Sequence, residues 1–595
     1  MDLQELSKLL KTQLAHLLVS FPDAKDVVLD PDLMKPLDRV AGITFLKEHG
    51  VSKIFKLEPG KKSLQGCGKR VYLVRPRLVT MKYIADHINT EIAKGERRSY
   101  KIVMVPRKLH VCEMILESEG VMGHITIDEF PLELFPLDSD LLSLELPEFF
   151  TSFYLDNDTT WLHTVSSSLV NLQRLFGRAP NVYAIGKGAK MVYELMETMF
   201  ETHKDRKDKT FHIGQIFIVD RDIDYVSLLC SPMTYEALLD ESFGINCGMI
   251  DFDGEVTGDG KGAKMLLTSQ DEIYTQIRDC HFSQMFSYMR DTAKKLQELE
   301  NKKNNLQSVG DMKNFVGNDL KVLKQQQKLL TTHISASEAI LKMKGKTDFE
   351  DFIRAEHNLL EGVENKENMT YIEECIQKQF SPILTLRLMC LASLTQEGLT
   401  QREYKALKTQ FLHSHGFEHL VTMFRLKKLG LLTEQEVSQS SMRLGTAKVP
   451  GISVKKSNYR ALNRKLGLVP NSEDINLQQP TSLSYVFSGA YTPVPCKLVE
   501  QILTRDTLIG LEDVGRMCGG LYADVKTKSQ GISMPGPGNP AMKVILVFFL
   551  GGCTFSEITA LRLVAKLHGF KIIVATTAIT TSSRFIESLV EKVHR

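Results

Sequence analysis

Residues 216–241 read IFIVDRDIDYVSLLCSPMTYEALLDE, and the fold is read outward from them. Ile216, Phe217, Ile218 and Val219 make an apolar run of strand length that ends in Asp220, Arg221, Asp222 and Asp224. Open α/β sheets place their polar groups and ligands at the carboxyl ends of strands in this way. The same alternation of short apolar runs and helical stretches recurs at 27–29, 71–74, 102–105 and 182–185, and again far away in VILVFFLGG (544–552) and KIIVATT (571–577). Such a pattern predicts parallel sheets covered by helices. Residues 270–435 differ: Gly and Pro are scarce, and Ile273, Ile277, Phe282, Met285, Phe286 and Met289 recur at helical spacing. This is read as a helical insertion. Two late strands are too few for a domain of their own, so they are expected to complete the sheet begun near residue 150, which makes that domain discontinuous.

Within the insertion, 296–330 is polar nearly all round, which predicts an extended helical hairpin over about 290–335 that bridges solvent or awaits a partner. Loosely ordered segments are expected at 434–480 and 519–542. The start, MDLQELSKLLKTQLAHLL, is amphipathic and carries Asp2 and Glu5, so it reads as a first helix and not a secretory signal. Lys and Arg number 74 against 72 Asp and Glu, a balance that leaves no footprint for a nucleic acid. No apolar run approaches the roughly 20 residues of a membrane helix. Ten cysteines without a C-x-x-C pair predict reduced thiols in a cytosolic protein and no metal knuckle.

Five motifs invite chemistry. FLGGCTFSEITALR (549–562) leads a strand through Gly551 and Gly552 into a helix whose free N–H groups suit a phosphate, yet no P-loop Lys follows, and the favoured reading is a turn capped by Thr554 or Ser556. YAIGKGAKMVYELM (183–196) lacks the dinucleotide glycines and reads as a strand-to-helix turn. GEVTGDGKGAK (254–264), with Gly260 and Lys261 misplaced for a phosphate loop, reads as a flexible loop. In HSHGFEH, His413, His415 and His419 include an i, i+4 pair suited to zinc, but Gly416 stands where a metalloprotease needs Glu, and a surface or interface helix is favoured. The Asp220, Asp222, Asp224 group has the oxygen donors for a divalent cation. With Arg221 among them and Tyr235 and Glu236 following, an ion-paired network fixing a domain junction is the preferred reading. No catalytic residue, cofactor or metal is assigned.

The 216–241 segment resembles the hallmark of the Sec1/Munc18 family, an Asp-Arg-x-x-Asp stretch followed by Thr-Tyr-Glu and an acidic pair. VRPR (74–77), PLDSDLLSLELPEFF (136–150), SYVFSGAYTP (484–493) and FFLGGCTFSEITALR (548–562) extend the resemblance along the chain. VRPR, GFEHLVTMFRLKKLGLL (416–432) and the 549–562 stretch look like the class C vacuolar protein sorting branch, and LPEFF, Leu228-Leu229-Cys230 and GGCTFSEI look like its B-type metazoan members.

The resemblance implies an arch-shaped Sec1-like fold, α/β plus α, with two parallel-sheet α/β domains, the second discontinuous, and a large helical insertion. The expected divisions are 1–145; 146–245 with 481–595; 246–360 carrying the hairpin; and 361–480 for partner docking. It further implies a non-enzyme that regulates SNARE-mediated docking and fusion in endosome-to-lysosome sorting. The SNARE cleft would use Asp30 and Met34, in VVLDPDLM, where Pro31 and Pro36 depart from the neuronal relatives and a strand end and turn is the plain reading. A short Vps16-like subunit of a two-component complex would dock on Lys408, Phe417 and Leu420. Rab-type GTPases would be reached indirectly, and the cytoplasmic protein would sit peripherally on late endosome, lysosome and recycling endosome membranes through its complex. The alternative is a scaffold subunit of a sorting or recycling complex that binds no SNARE; a nucleotide enzyme using Gly551 and Gly552 is a distant third.

Overall fold

A computed structural model describes residues 2–60, 63–202, 211–257, 262–302, 320–345, 347–435, 456–470, 475–505, 508–525 and 540–591. Its contacts divide the chain into two compact units. The first comprises Met1–Glu145, Thr160–Ala179 and Val192–Ile213; the second comprises Leu146–Thr159, Pro180–Met191 and Gly214–Arg595.

In the first unit, α1 (Gln4–Val19) buries Leu6, Leu10, Leu14 and Leu18 on one face, as its leucine spacing requires. The strands β1 (Lys25–Leu29), β2 (Val51–Lys56), β3 (Lys69–Val74), β4 (Ser99–Met104) and β5 (Ile125–Glu129) form an all-parallel sheet in the order β2-β1-β3-β4-β5. β1 and β3 are buried along nearly their whole length and were legible as unbroken apolar runs. The edge strand β2 exposes half its residues and carries no such run.

The helix α2 (Pro31–Val40) follows β1 directly, so 30–34 is not a strand end and turn. Asp30 caps it by accepting the Asp32 N–H at 3.1 Å, and Pro31 occupies the first turn, where its missing N–H costs nothing.

Glu133 of this unit is buried, accepts a bond from the Asn171 side chain at 3.0 Å, and has its pKa pushed up to about 7, chiefly by desolvation.

The second unit's sheet draws on both ends of the chain. β6 (Asn181–Ile185) and β7 (Gln215–Asp220) run parallel; β7 pairs in parallel with β9 (Val544–Leu550), and β9 with β10 (Lys571–Thr576). β8 (Leu521–Val525) lies antiparallel on the β6 edge. Every residue of β9 is buried, which explains its uninterrupted VILVFFL. The expected discontinuous α/β domain is therefore present.

The insertion is helical. α3 (Phe282–Lys302) and α4 (Leu320–Lys344) pack together, burying Met285, Met289, Leu296, Leu323 and Leu330, with Gln327 bonded to Glu300 at 3.0 Å. Residues 303–319, the middle of the expected hairpin, lie outside the described residues, as do Gly260, Lys261 and all of the SMPGPGNP run but Pro540. The expectation of loose order over 434–480 and 519–542 is corrected for two pieces. The helix Tyr459–Leu466 is packed, with the Tyr459 hydroxyl donating to Leu360 O at 2.6 Å, and 521–525 is β8.

The Glu133 carboxyl gives a pH test of the first unit. Its folded pKa lies above the unfolded value of 4.5, so the folded state holds the proton longer, and stability falls as pH rises from about 4.5 to about 7. Glu133→Gln removes that dependence. Compared with wild type by thermal unfolding, the variant should gain stability on the order of 3 kcal/mol at pH 8 and little or none at pH 4.

Candidate partner-binding surfaces

The 216–241 segment is the second unit's structural joint. Asp220, at the end of β7, accepts from the Tyr154 hydroxyl, from Gly188 N at 2.7 Å and from Asp222 N at 3.2 Å. A Cβ at Gly186 or Gly188 would collide with the Asp220 side chain, so this turn needs its glycines for close approach and not for a dinucleotide.

Arg221, fully buried, places Nη1 2.8 and 2.9 Å from the two carboxyl oxygens of Glu557 and donates Nη2 to Asp224 O. Asp224 in turn accepts from Ser227 Oγ at 2.6 Å and from Val494 N at 2.9 Å. Asp222 accepts from the Tyr225 hydroxyl at 3.0 Å, so all three aspartates face donors of the protein itself, and no cluster of metal-ligating side chains exists among the described residues.

Glu557 also closes the turn after β9. Thr554 and Glu557 form a reciprocal capping box at the start of α5 (Phe555–His568), with Thr554 N donating to Glu557 at 2.9 Å. The helix end that invited a phosphate is occupied by the protein's own carboxylate. Burial raises the Glu557 pKa and the Arg221 charge opposes it, while burial works against the Arg221 charge and the Glu557 carboxylate holds the guanidinium protonated.

Further along the segment, Glu236 accepts from the Tyr274 and Arg562 side chains, Tyr235 OH lies 2.9 Å from His333 Nδ1, and Asp240 pairs with Arg584. The ion-paired network read from the sequence is present, and its partners come from widely separated parts of the second unit.

The histidines are corrected. Gly416, with φ of +110°, ends the helix Gln401–His415, and α6 (His419–Lys428) begins after it, so His415 and His419 do not share one helical face. Burial lowers both pKa values. Around this break the surface is apolar. Phe417 is 67% exposed, Leu420 49%, Val421 44% and Phe424 54%, while His419, Thr422, Met423 and Leu426 are buried on the other face. Phe417 and Leu420 therefore share an exposed ridge, and Lys408, half-buried, lies on the preceding helix. Phe417 lies in the turn before α6, not on a helix with Leu420, and Val421 and Phe424 extend the exposed apolar surface along α6 from Leu420. Their helical spacing was legible, but spacing alone does not tell an exposed stripe from a buried one. Arg425 anchors the helix through Glu591 at 2.5 Å and Leu589 O at 3.2 Å.

In the first unit, Met34 is 41% exposed on α2, but Asp30 is buried. Its carboxyl accepts from Asp32 N and from Arg75 N, each at 3.1 Å. Asp30 therefore sets the helix that presents Met34 and does not itself face solvent.

These features, a discontinuous parallel-sheet domain joined by Asp-Arg-x-x-Asp and a helical insertion, define a class: the chain belongs to the Sec1 family, whose model matches residues 25–588. It is 42% identical over 608 residues to human vacuolar protein sorting-associated protein 33B, covering 99% of this chain and 97% of that one. Against rat vacuolar protein sorting-associated protein 33A, identity is 32% over 611 residues, with 99% and 98% covered. Its placement with the B-type proteins follows from that difference. The fold is that of the solved Unc18-syntaxin 1 complex from Monosiga brevicollis, at a TM-score of 0.59 and 17% identity over 100% of both chains. The chain is a Sec1/Munc18-type protein of vesicle trafficking. Among the described residues, no helix is long and apolar enough to cross a membrane.

Removing one partner of a buried ion pair leaves the other charge stranded, at a cost of about 3–5 kcal/mol. Arg221→Met should destabilise the second unit by that order in urea unfolding, and Arg221→Met with Glu557→Leu should recover part of the loss. A single substitution with no effect would show that the pair does not hold the sheet.

Proposed function

We propose that this chain is a non-enzymatic regulator of SNARE-mediated docking and fusion in endosome-to-lysosome sorting, working with a short Vps16-like partner that docks on the apolar ridge of α6. One observation carries the reading: Leu420, Val421 and Phe424 stand exposed along one stripe of α6, whose opposite face is packed, and Phe417 stands exposed in the turn that leads into it. Large apolar side chains gathered this way gain most when a partner removes them from water, and aromatic anchors carry most of such binding energy. Lys408 would pair with an acidic partner group. The relatives' names support the sorting role, and the Unc18 relative in complex with syntaxin 1 supports SNARE recognition.

SNARE helices would lie along α3 and α4, whose polar outer faces keep an empty groove soluble. In the first unit, Met34 would touch the SNARE while Asp30 fixes its helix. The working domain map is 1–145; 146–245 with 481–595; 246–360; and 361–480. Recruitment to late endosome, lysosome and recycling endosome membranes would come through the complex, with Rab-type GTPases reached indirectly. The non-enzymatic reading is supported by Asp220 and Glu557, whose carboxylates fill the two turns where a nucleotide phosphate would sit.

Phe417→Asp, at an exposed site, should leave the circular dichroism spectrum unchanged and weaken capture of the short Vps16-like subunit by about thirtyfold or more, the loss of one hot-spot anchor. Equal capture by both proteins would place the interface elsewhere. Saturable binding of a nucleotide in calorimetry would overturn the non-enzymatic reading.

A further inference from the structure

A groove of about 410 Å³ opens within the first unit, lined by α1, the stretch 131–134 and the helix Thr160–Phe176. Leu6, Leu9, Leu10, Leu134, Leu172 and Leu175 form its apolar wall. The α6 surface and the Arg221–Glu557 joint both belong to the other unit.

Glu133 stands at the polar edge of this groove and is 8% exposed. Its Oε2 accepts from Asn171 Nδ2 at 3.0 Å. Asn171 is an exposed residue that lines the same groove, so the carboxyl end of Glu133 lies on the groove side. Neither carboxyl oxygen is sealed from water without a partner. Desolvation lifts the Glu133 pKa to about 7 against the Ser167 hydroxyl, the Asn171 amide and the Arg107 charge, and Glu129 adds a like charge. Among the described residues no lysine or arginine forms an ion pair with it. Arg174, exposed at the mouth, donates to Asn171 Oδ1 at 3.4 Å, and the polar group that α1 contributes is the uncharged Gln13. A buried carboxyl thus meets an apolar groove without the counter-charge that would offset its desolvation.

These facts select an occupant. An acidic group would add a like charge, and a purely apolar one would desolvate the carboxyl further without a counter-charge. A lysine lays its aliphatic stem along the leucines and ends in one ammonium. With one carboxylate oxygen already bonded to Asn171, that single point of charge suits the site better than the two-pronged guanidinium of arginine. From Leu6 to Gln13 the α1 wall runs for about 10 Å, which leaves room for apolar neighbours of the lysine.

We propose that this groove receives a lysine flanked by apolar residues from a partner protein, its ammonium pairing with the Glu133 carboxylate and its neighbours packed on the leucines. The site does not rest on the α6 docking reading and stands or falls without it.

The probe is the peptide acetyl-Leu-Lys-Leu-amide, titrated into the full chain at pH 8 and followed by saturation-transfer NMR, beside the norleucine peptide that keeps the stem and lacks the charge. Saturable binding of the lysine peptide is expected, with the norleucine peptide about tenfold weaker, the worth of a hydrogen bond to a charged group. Lysine binding needs the ionised carboxyl, so with a pKa of about 7 the affinity should fall about thirtyfold at pH 5.5. Glu133→Gln should erase both the lysine preference and the pH dependence, and Leu9→Ser, at an exposed position of the wall, should weaken both peptides. Should either variant fail to fold by circular dichroism, the other decides. No saturable binding, equal binding of the two peptides to wild type, or binding unchanged in the folded variants would each overturn the proposal. Self-association of the chain in light scattering that Glu133→Gln abolishes would also overturn it, by giving the groove to a second copy.

Discussion

The buried pair of Arg221 and Glu557 is the constraint on which the second unit depends. The two residues are 336 positions apart: Arg221 directly follows β7, and Glu557 lies in the first turn of the helix that follows the neighbouring strand β9, one before the helical insertion and one after it. Hydrophobic burial of β7 and β9 would tolerate more than one register, because both strands are apolar on both faces. An ion pair in a dry site does not: a slip would strand a guanidinium and a carboxylate away from water and from each other. The same glutamate completes the cap of α5, so strand register and helix start are set by one side chain.

From that joint the segment continues through Ser231, which meets Glu356, and Leu229 O, which meets Arg387, so helices of the insertion are held by buried polar contacts as well as by packing. This explains how one short acidic stretch can sit in a protein without a catalytic assignment and still constrain so many side chains. Most of its carboxylate oxygens are spent on the fold. What remains for partners is what the frame leaves facing water: the exposed apolar residues at 417–424 and the helix that displays Met34.

Much of the frame was legible from sequence. Central strands are buried on both faces and read as unbroken apolar runs, as β7, β9 and β10 do, and the polar cluster after 219 marked the joint before its partners were known. Edge strands were not legible: β2 and β8 carry polar residues on their open sides, and no periodicity separates them from loop. Chain-distant pairings were beyond reach in the same way, since nothing local in Glu356 or Glu557 says that each will meet an arginine. The candidate surface was half legible. Phe417 and Leu420 came from a family resemblance, whereas Val421 and Phe424 required knowing which face of α6 the core had taken. Asp30 shows the converse, a residue picked out for contact that proved to be a helix cap.

The account separates a closed joint at 216–241 from an open ridge at 417–424, and hydrogen exchange read by mass spectrometry, with and without the short Vps16-like subunit, tests that separation most directly. The expected result is slow exchange over 216–241 and 544–562 in both states, with new protection on binding confined to the α6 region and its neighbours. Protection that instead appears at 216–241, with the α6 ridge unchanged, would contradict the account and make the acidic segment the binding site.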